Sequence, residues 1–498
     1  MDEDDIGSAG GPRDGAHDGA HRSCADPSRR QALQALAACV ALGASGCARE
    51  SPDRDERWLH DISGIDETRV GRVLKPASVG AVVAALQRHP GAVSIGGARC
   101  SMGGQTVADG SLHLDMRGLN RLVALDPVRR RVRVQTGMRW RDLQELIDPH
   151  DLAVSIMQSY SSFSIGGSIS VNCHGRYVGR GSLIHSLRAL QLVDGDGQVR
   201  ELSRERDPQL FRAAVGGYGG LGVITEAEFD LSANRRIARR AERVGLDEYP
   251  AWFAERVLAD PASVLHNADL LPPSFDAPVA VTWSRCEEPL TVGERLIARD
   301  GDYRRDRKLI WSVSELPGGP WLREQYSVER MLREREVVWR NREASLDIAS
   351  LEPSTRRYST YLLQEYFVPV PAFASFARAM RRILRDFEAH ALNVSIRHAP
   401  ADRQSLLSWS PTEVFSFVLY HKQRGGGRAD EVAGQWTRRL IDLALDHGGR
   451  HYLPYRLHAT REQFLRAYPA APAFAALKRG IDPRGRFRNR LWDKYLPE

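Results

Sequence analysis

The chain has 498 residues, 42% of them hydrophobic, enough for a sizeable core and roughly two or three structural units. Its net charge of +7 comes from 70 basic and 63 acidic residues that are interspersed, and no basic helix with interleaved aromatics appears, which argues against nucleic-acid binding. Of six cysteines, Cys24, Cys39 and Cys47 precede the globular part and Cys100, Cys173 and Cys286 are widely spaced, so neither a disulfide framework nor a metal-ligand cluster is expected.

Residues 1–27 are rich in Asp, Gly, Ala and His without apolar periodicity, a composition that stays disordered. Ser28-Arg29-Arg30-Gln31-Ala32-Leu33 follows, then an apolar run over 35–44 that ends at Ala44-Ser45-Gly46-Cys47. The run is too short to span a membrane and reads as a signal h-region behind twin arginines. The ending resembles a lipoprotein cleavage box, so export to the periplasm with a lipid anchor at Cys47 is expected. Ala32 and Ala44 depart from the large apolar residues such signals favour. The alternative is a short alanine-rich helix without a targeting role, which leaves the protein cytoplasmic. Residues 48–65 are a charged linker.

From there the pattern mixes strands and helices, so the expected class is α+β rather than a repeating βαβ sheet. Strands are expected at 69–74, 92–95 and 112–116, with a helix from 79 to 87 capped by Ser78. Apolar alternation at 122–125 and 131–135 around Asp126-Pro127 predicts a hairpin, and 140–147 has helical spacing. A second hairpin is expected where 187–193 and 198–202 flank Asp194-Gly195-Asp196-Gly197. Asp207-Pro208 starts a helix to 215, and the glycine run 216–222 leads into a strand at 223–229. Between 236 and 440, helices at 324–344 and 372–390 alternate with strands at 361–368, 393–396 and 414–419. That predicts a sheet covered by helices on one side.

Two glycine-rich segments stand out. The first is Ile95-Gly96-Gly97-Ala98-Arg99-Cys100-Ser101-Met102-Gly103-Gly104-Gln105, and the second is Ser164-Ile165-Gly166-Gly167-Ser168-Ile169-Ser170-Val171-Asn172-Cys173-His174-Gly175-Arg176. Each follows an apolar run. Glycine lets a backbone approach a ligand closely, and successive N–H groups in such turns form a concavity for anions. Neither a Walker loop nor a G-x-G-x-x-G fingerprint is present. A glycine loop alone is equally an ordinary turn; the pair is what suggests a long diphosphate-bearing ligand.

At these residues the chain resembles the vanillyl-alcohol-oxidase (PCMH-type) FAD-linked oxidoreductases, among them aldonolactone oxidases, alditol oxidases and decaprenylphosphoryl ribose oxidase. The resemblance is strong over 66–235, moderate over the last fifty residues and patchy between. It implies a two-subdomain FAD-binding domain at 66–235, an α/β cap domain at 236–440, and a segment at 441–498 that returns to close the flavin site. Ile481-Asp482-Pro483-Arg484-Gly485-Arg486-Phe487-Arg488-Asn489 resembles the family's closing motif. The cofactor residues it implies are Gly96, Gly97, Ala98, Arg99, Cys100, Ser101, Met102, Gly103 and Gln105 on the first loop. On the second they are Ser164, Gly166, Gly167, Ser170, Cys173, His174 and Gly175. Gly217, Gly222, Val223, Ile224 and Asn489 complete the set.

The implied chemistry is oxidation of a sugar, alditol or lactone CH–OH group by hydride transfer to FAD, with oxygen or a quinone as the acceptor. No metal is expected. The expected catalytic residues are Arg397, Tyr455, Arg456 and His174. Arg397 lies in Ser395-Ile396-Arg397-His398 and resembles the arginine of a Glu-x-Arg pair, with Ser395 in the glutamate's place. Tyr455 stands where relatives carry lysine, and Arg456 is expected to supply the missing charge. Cys100 stands where relatives often carry a histidine bonded to the flavin. Non-covalent FAD is expected, with a Cys100 thioether as the alternative. Met102 replaces the tyrosine of the decaprenyl enzyme. That enzyme's activity, or flavin binding without turnover in a lipoprotein, are the alternative functions.

Overall fold

The computed structural model describes residues 55–496 apart from 300, 317 and 354. The expected signal and Cys47 lie outside the described residues. Among the described residues, nineteen strands form four sheets. β1 (Trp58–His60) and β2 (Glu67–Arg69) make a small antiparallel pair. β3 (Arg72–Leu74), β4 (Val93–Gly96) and β5 (Leu112–Asp115) form a parallel sheet in the order β3-β5-β4. β3 and β4 run parallel on either side of β5, and the helix Val79–Arg88 connects them. Ser78 caps that helix by accepting from Ala81 N at 3.1 Å, and its apolar stripe buries Val82 and Leu86 against Val93, Leu112 and Leu114.

The second sheet holds β6 (Leu122–Asp126), β7 (Arg131–Gln135), β8 (Leu152–Val154), β9 (Leu187–Val193), β10 (Val199–Ser203) and β11 (Val223–Ala233). Both hairpins expected from the sequence are present. In the second, Asp194 Oδ1 accepts from Asp196 N and Gln198 N, and Gly197 takes φ +80°. The turn chemistry thus fixes the register.

The third sheet has eight strands in the order β15-β12-β14-β13-β17-β18-β16-β19. They are β12 (Arg236–Arg243), β13 (Ser263–Leu270), β14 (Val279–Arg285), β15 (Val337–Trp339), β16 (Ser359–Pro369), β17 (Ala391–Ala399), β18 (Val414–Arg424) and β19 (Arg450–His451). Side chains alternate between its faces. On one face Phe417 packs against Phe373 and Phe376, with ring centroids 5.2 and 4.8 Å away. Those rings belong to the helix Phe373–Asp386, which covers this face together with the helix Gly427–Asp446. The other face carries Asp269, Asn393, Ser395, Arg397, Ser416 and Glu365 alongside Leu363, Phe367 and Val418.

One expectation about this region is corrected. A single helix at 324–344 is not formed: the helix Gly319–Arg333 ends, and Val337-Val338-Trp339 pairs with β12 instead. The β-branched and aromatic run finds a sheet edge, and tertiary pairing overrides helical spacing. β12, β13 and β14 were not anticipated, because charged residues on both alternations of β12 hide its period.

The chain's last segment runs beside the parallel sheet, with Val93 N donating to Arg486 O at 2.7 Å and Arg488 N to Val93 O at 3.0 Å. Lys478 Nζ clasps it, donating to Gly220 O, Asp482 Oδ2 and Phe487 O. No helix among the described residues is long and apolar enough to cross a membrane.

Candidate active site

β4 delivers the first glycine segment. At Gly97 a Cβ would stand 2.2 Å from Ser164 Oγ and 3.0 Å from its Cβ, so any side chain here forces Ser164 or the segments to shift. Ala98 N donates to that hydroxyl at 3.2 Å. Arg99 has φ +54°, and among the described residues the N–H groups of Arg99, Cys100 and Ser101 meet no protein acceptor. Such consecutive free amides form an anion-binding concavity. Gln105 fastens the loop's far end: its Nε2 donates to Leu453 O at 2.7 Å and Tyr455 O at 2.8 Å, and its Oε1 accepts from Gly103 N at 2.9 Å.

The second segment is a short helix, Ile165–Ser170, followed by a turn at Asn172 with φ +47°. Asn172 holds that turn through its side chain: Oδ1 accepts from Ile184 N at 3.1 Å and Nδ2 donates to the buried Asp402 at 3.0 Å. Trp409 Nε1 donates to Asn172 O at 2.9 Å. The turn presents His174 between Phe367, Trp409 and Tyr452, with ring centroids 5.5, 4.9 and 5.9 Å away.

Between the glycine segments and the Glu365 face of the eight-stranded sheet lies a cavity of about 340 Å³. A smaller cavity of about 70 Å³ adjoins it at Gly97, Ser101, Ser164 and Gly167 and extends past Gln105, Thr136, Tyr218 and Gly222. With these shared walls the two make one groove. Four strands build its sheet-side wall. β13 contributes Asn267 and Asp269, β17 Asn393, Ser395 and Arg397, β18 Val418 and Tyr420, and β16 Leu363 and Glu365. Register explains the convergence: Asp269 pairs with Ser395, Ser395 with Val418, and Val418 with Glu365, so all four side chains share one row and one face.

Glu365 is the electrostatic centre of this wall. It is 2% exposed. Its Oε1 lies 2.6 Å from His174 Nε2 and accepts from Ser416 Oγ at 2.6 Å; its Oε2 accepts from Tyr455 OH at 3.0 Å. Burial alone would raise its pKa, but His174, Arg397 and Ser416 outweigh it and hold the carboxyl below its ordinary value. Burial pushes the Tyr455 phenol well up, and the Glu365 charge adds to that rise, so Tyr455 is a donor at neutral pH. Arg397 Nε is buried without a protein partner. The Cys100 thiol, on the first glycine segment that faces this wall, is pushed up to about 12 by burial.

Of the residues expected from the sequence, His174, Arg397 and Tyr455 line the cavity together. Arg456 does not. Its guanidinium turns away to pair with Asp66 and, at 2.9 Å, with Asp430, and the expectation that it supplies charge at the site is corrected. Gly97, Ala98, Arg99, Cys100, Ser101, Met102, Ser164, Gly167 and Cys173 line the larger cavity, and Gly96, Gln105, Gly166, Ser170, Gly222 and Ile224 the smaller. Gly103, Gly175, Gly217, Val223 and Asn489 line neither. Val223 is core. Asn489 caps the last helix through Trp492 N and ties it to Tyr218 O. His398, next to Arg397, lies on the other face of the strand against Phe253 and Glu413. Glu365, Asp269, Asn393 and Asp402 were missed; only the strand register, which no local motif encodes, brings the first three to the wall.

Comparison with known proteins gives this groove a ligand. Residues 70–203 match the family described as FAD binding domain. The decaprenylphosphoryl-beta-D-ribose oxidase of Mycolicibacterium smegmatis is 25% identical over 417 residues, covering 78% of this chain and 85% of that protein. The alditol oxidase of a Streptomyces species is 28% identical over 376 residues, covering 73% and 81%. The L-gulonolactone oxidase of Mus musculus is 33% identical over 153 residues, covering 30% and 34%. The residues present fit the cofactor: free amides at Arg99 to Ser101 suit a pyrophosphate, and they line the same cavity as His174. Residues 70–203 thus carry an FAD-binding domain, the chain is similar to these oxidases over the spans given, and its cofactor is FAD.

Proposed function

We propose that this protein is an FAD-dependent oxidoreductase that oxidises a CH–OH group of a sugar-like, alditol or aldonolactone substrate. The observation that carries this reading is the shared cavity, in which the glycine segments face a wall of Glu365, Arg397, Ser395, Asn393 and Asp269. These carboxylate, amide, hydroxyl and guanidinium side chains, set among apolar ones such as Leu363 and Val418, offer fixed partners for the hydroxyls of a polyol. Bound FAD supplies the hydride acceptor. Arg397 offers donors to the substrate oxygen, Tyr455 a neutral phenol, and His174 a ring held by Glu365 and its aromatic neighbours. The flavin is held non-covalently, since a thiol raised to about 12 is protonated at neutral pH and a poor nucleophile.

In this reading residues 66–235 are the two halves of the FAD-binding domain, 236–440 the cap, and 441–498 the closing segment. The leading twin arginines and Cys47 make it an exported lipoprotein, and oxygen or a quinone reoxidises the flavin. A second reading, oxidation of a lipid-linked pentose, is supported by the match across 85% of the decaprenylphosphoryl-ribose enzyme. Anaerobic mixing of FAD-loaded protein with polyols, aldonolactones and a polyprenyl-phosphoryl pentose tests both. Bleaching of the yellow absorbance by polyols or lactones supports the first reading, and bleaching by the lipid-linked sugar alone supports the second. No bleaching by any of them leaves a flavin-binding protein without turnover.

A further inference from the structure

Glu365 is a fully buried carboxylate in the wall of a ligand cavity. Burying a charge is costly unless it is paired and hydrogen-bonded, and such a group in a cleft is a candidate for chemistry. An ionised carboxylate has about four lone-pair sites. His174 and Ser416 engage Oε1, and Tyr455 engages Oε2. One site on Oε2 is left open. On the same wall, Arg397 stands across β18 at the level of Ser416, one alternation from the Val418 row that holds Glu365. Its buried Nε has no protein acceptor. An open acceptor and an open donor on neighbouring rows of one sheet face form a complementary pair. A single hydroxyl satisfies both, donating its proton to Oε2 and accepting from the guanidinium.

We propose that Glu365 is the catalytic base of this protein, taking the substrate hydroxyl proton on Oε2 while Arg397 holds the oxygen. The proposal rests on the functional reading above. The carbinol C–H bond breaks with its electron pair passing to the flavin, which is reduced. The O–H bond breaks with its proton passing to Glu365, and the carbon–oxygen bond becomes a carbonyl. Loss of hydride makes the hydroxyl strongly acidic, so a carboxylate of ordinary or lowered basicity suffices. His174, Ser416 and Tyr455 are positioning residues: their hydrogen bonds fix the carboxylate and leave one lone-pair site on Oε2 unused.

The test uses full-length FAD-loaded wild type, Glu365→Gln and Glu365→Ala, each checked for flavin content and melting temperature. A polyol or lactone that bleaches the wild type is mixed with each under anaerobic conditions, with and without formate. Formate binding is measured separately by calorimetry. Glu365→Gln is expected to slow flavin reduction by about 10²–10⁴-fold, the usual worth of general base catalysis. Glu365→Ala is expected to bind formate, which wild type does not, and bound formate is expected to restore part of its rate. Reduction of Glu365→Gln within about threefold of wild type overturns the assignment, as does formate that binds Glu365→Ala and leaves its rate unchanged. A wild type that nothing bleaches refutes the functional reading instead, and that outcome is distinguishable because calorimetry reads the vacated carboxylate site without turnover.

Discussion

Arg397 and Glu365 face one cavity, and a guanidinium's planar fork is not replaced by an ammonium. Arg397→Lys is therefore expected to keep FAD and fold but to lower the ratio of reduction rate to substrate affinity by about 10-fold or more, as loss of a charged hydrogen bond does. Stopped-flow reduction against substrate concentration measures it. Glu365 also makes a stability prediction. Its folded-state pKa lies below the ordinary 4.5, so its contribution is complete above that value and is lost as pH falls through the lower folded value. Glu365→Gln should lose this part of the acid transition in melting curves taken below pH 4.5. Cys100 predicts a yellow supernatant after acid precipitation, unchanged in Cys100→Ala; a yellow pellet in wild type alone would mean a thioether. Arg397, His174 and Tyr455 were legible because each sits in a recognisable local pattern. Glu365 was not. Leu362-Leu363-Gln364-Glu365-Tyr366 reads as an ordinary strand, and the partners that give the carboxylate meaning lie 191 and 90 residues away in sequence.

The site's shape depends on where two backbone segments meet. A methyl at position 97 would sit 2.2 Å from Ser164 Oγ and 3.0 Å from its Cβ, so turning the Ser164 hydroxyl away does not clear the contact. Gly97→Ala should push the segments apart, weaken FAD binding in a fluorescence titration, and destabilise the FAD-free protein by about 1–3 kcal/mol in urea melts, the usual cost of overpacking. Adding Ser164→Ala should recover part of both losses. Wild-type affinity and stability in Gly97→Ala would show that the contact does not shape the groove. The glycine segments and both hairpins were legible because turn chemistry is local, as at Asp194 and Gly197. The helix expected at 324–344 failed because Val337 to Trp339 answer to β12, a partner far away in sequence.

Across the whole molecule, burial keeps several histidines neutral. It lowers His266 and His421 to about 3 and His113 and His451 to about 4. Their folded values lie below the ordinary 6.5, so their contribution is complete above that pH and is lost as pH falls toward the folded values. The melting temperature should drop steadily below pH 6.5, and His421→Phe, whose ring can keep the edge contact with Trp436, should flatten part of that slope. A melting temperature that is level from neutral pH to pH 4 would contradict it. The α+β class was legible from the mixed periodicities, whereas the eight-stranded sheet that carries the cavity wall was seen only in pieces. The most direct measurement for the account is the rate of anaerobic flavin reduction by a polyol or lactone, compared with the same substrate deuterated at its carbinol carbon. The account predicts slower reduction with the deuterated substrate, because that C–H bond breaks as the flavin gains its electrons. Equal rates, or a flavin that stays oxidised with every sugar, polyol and lactone, would contradict it.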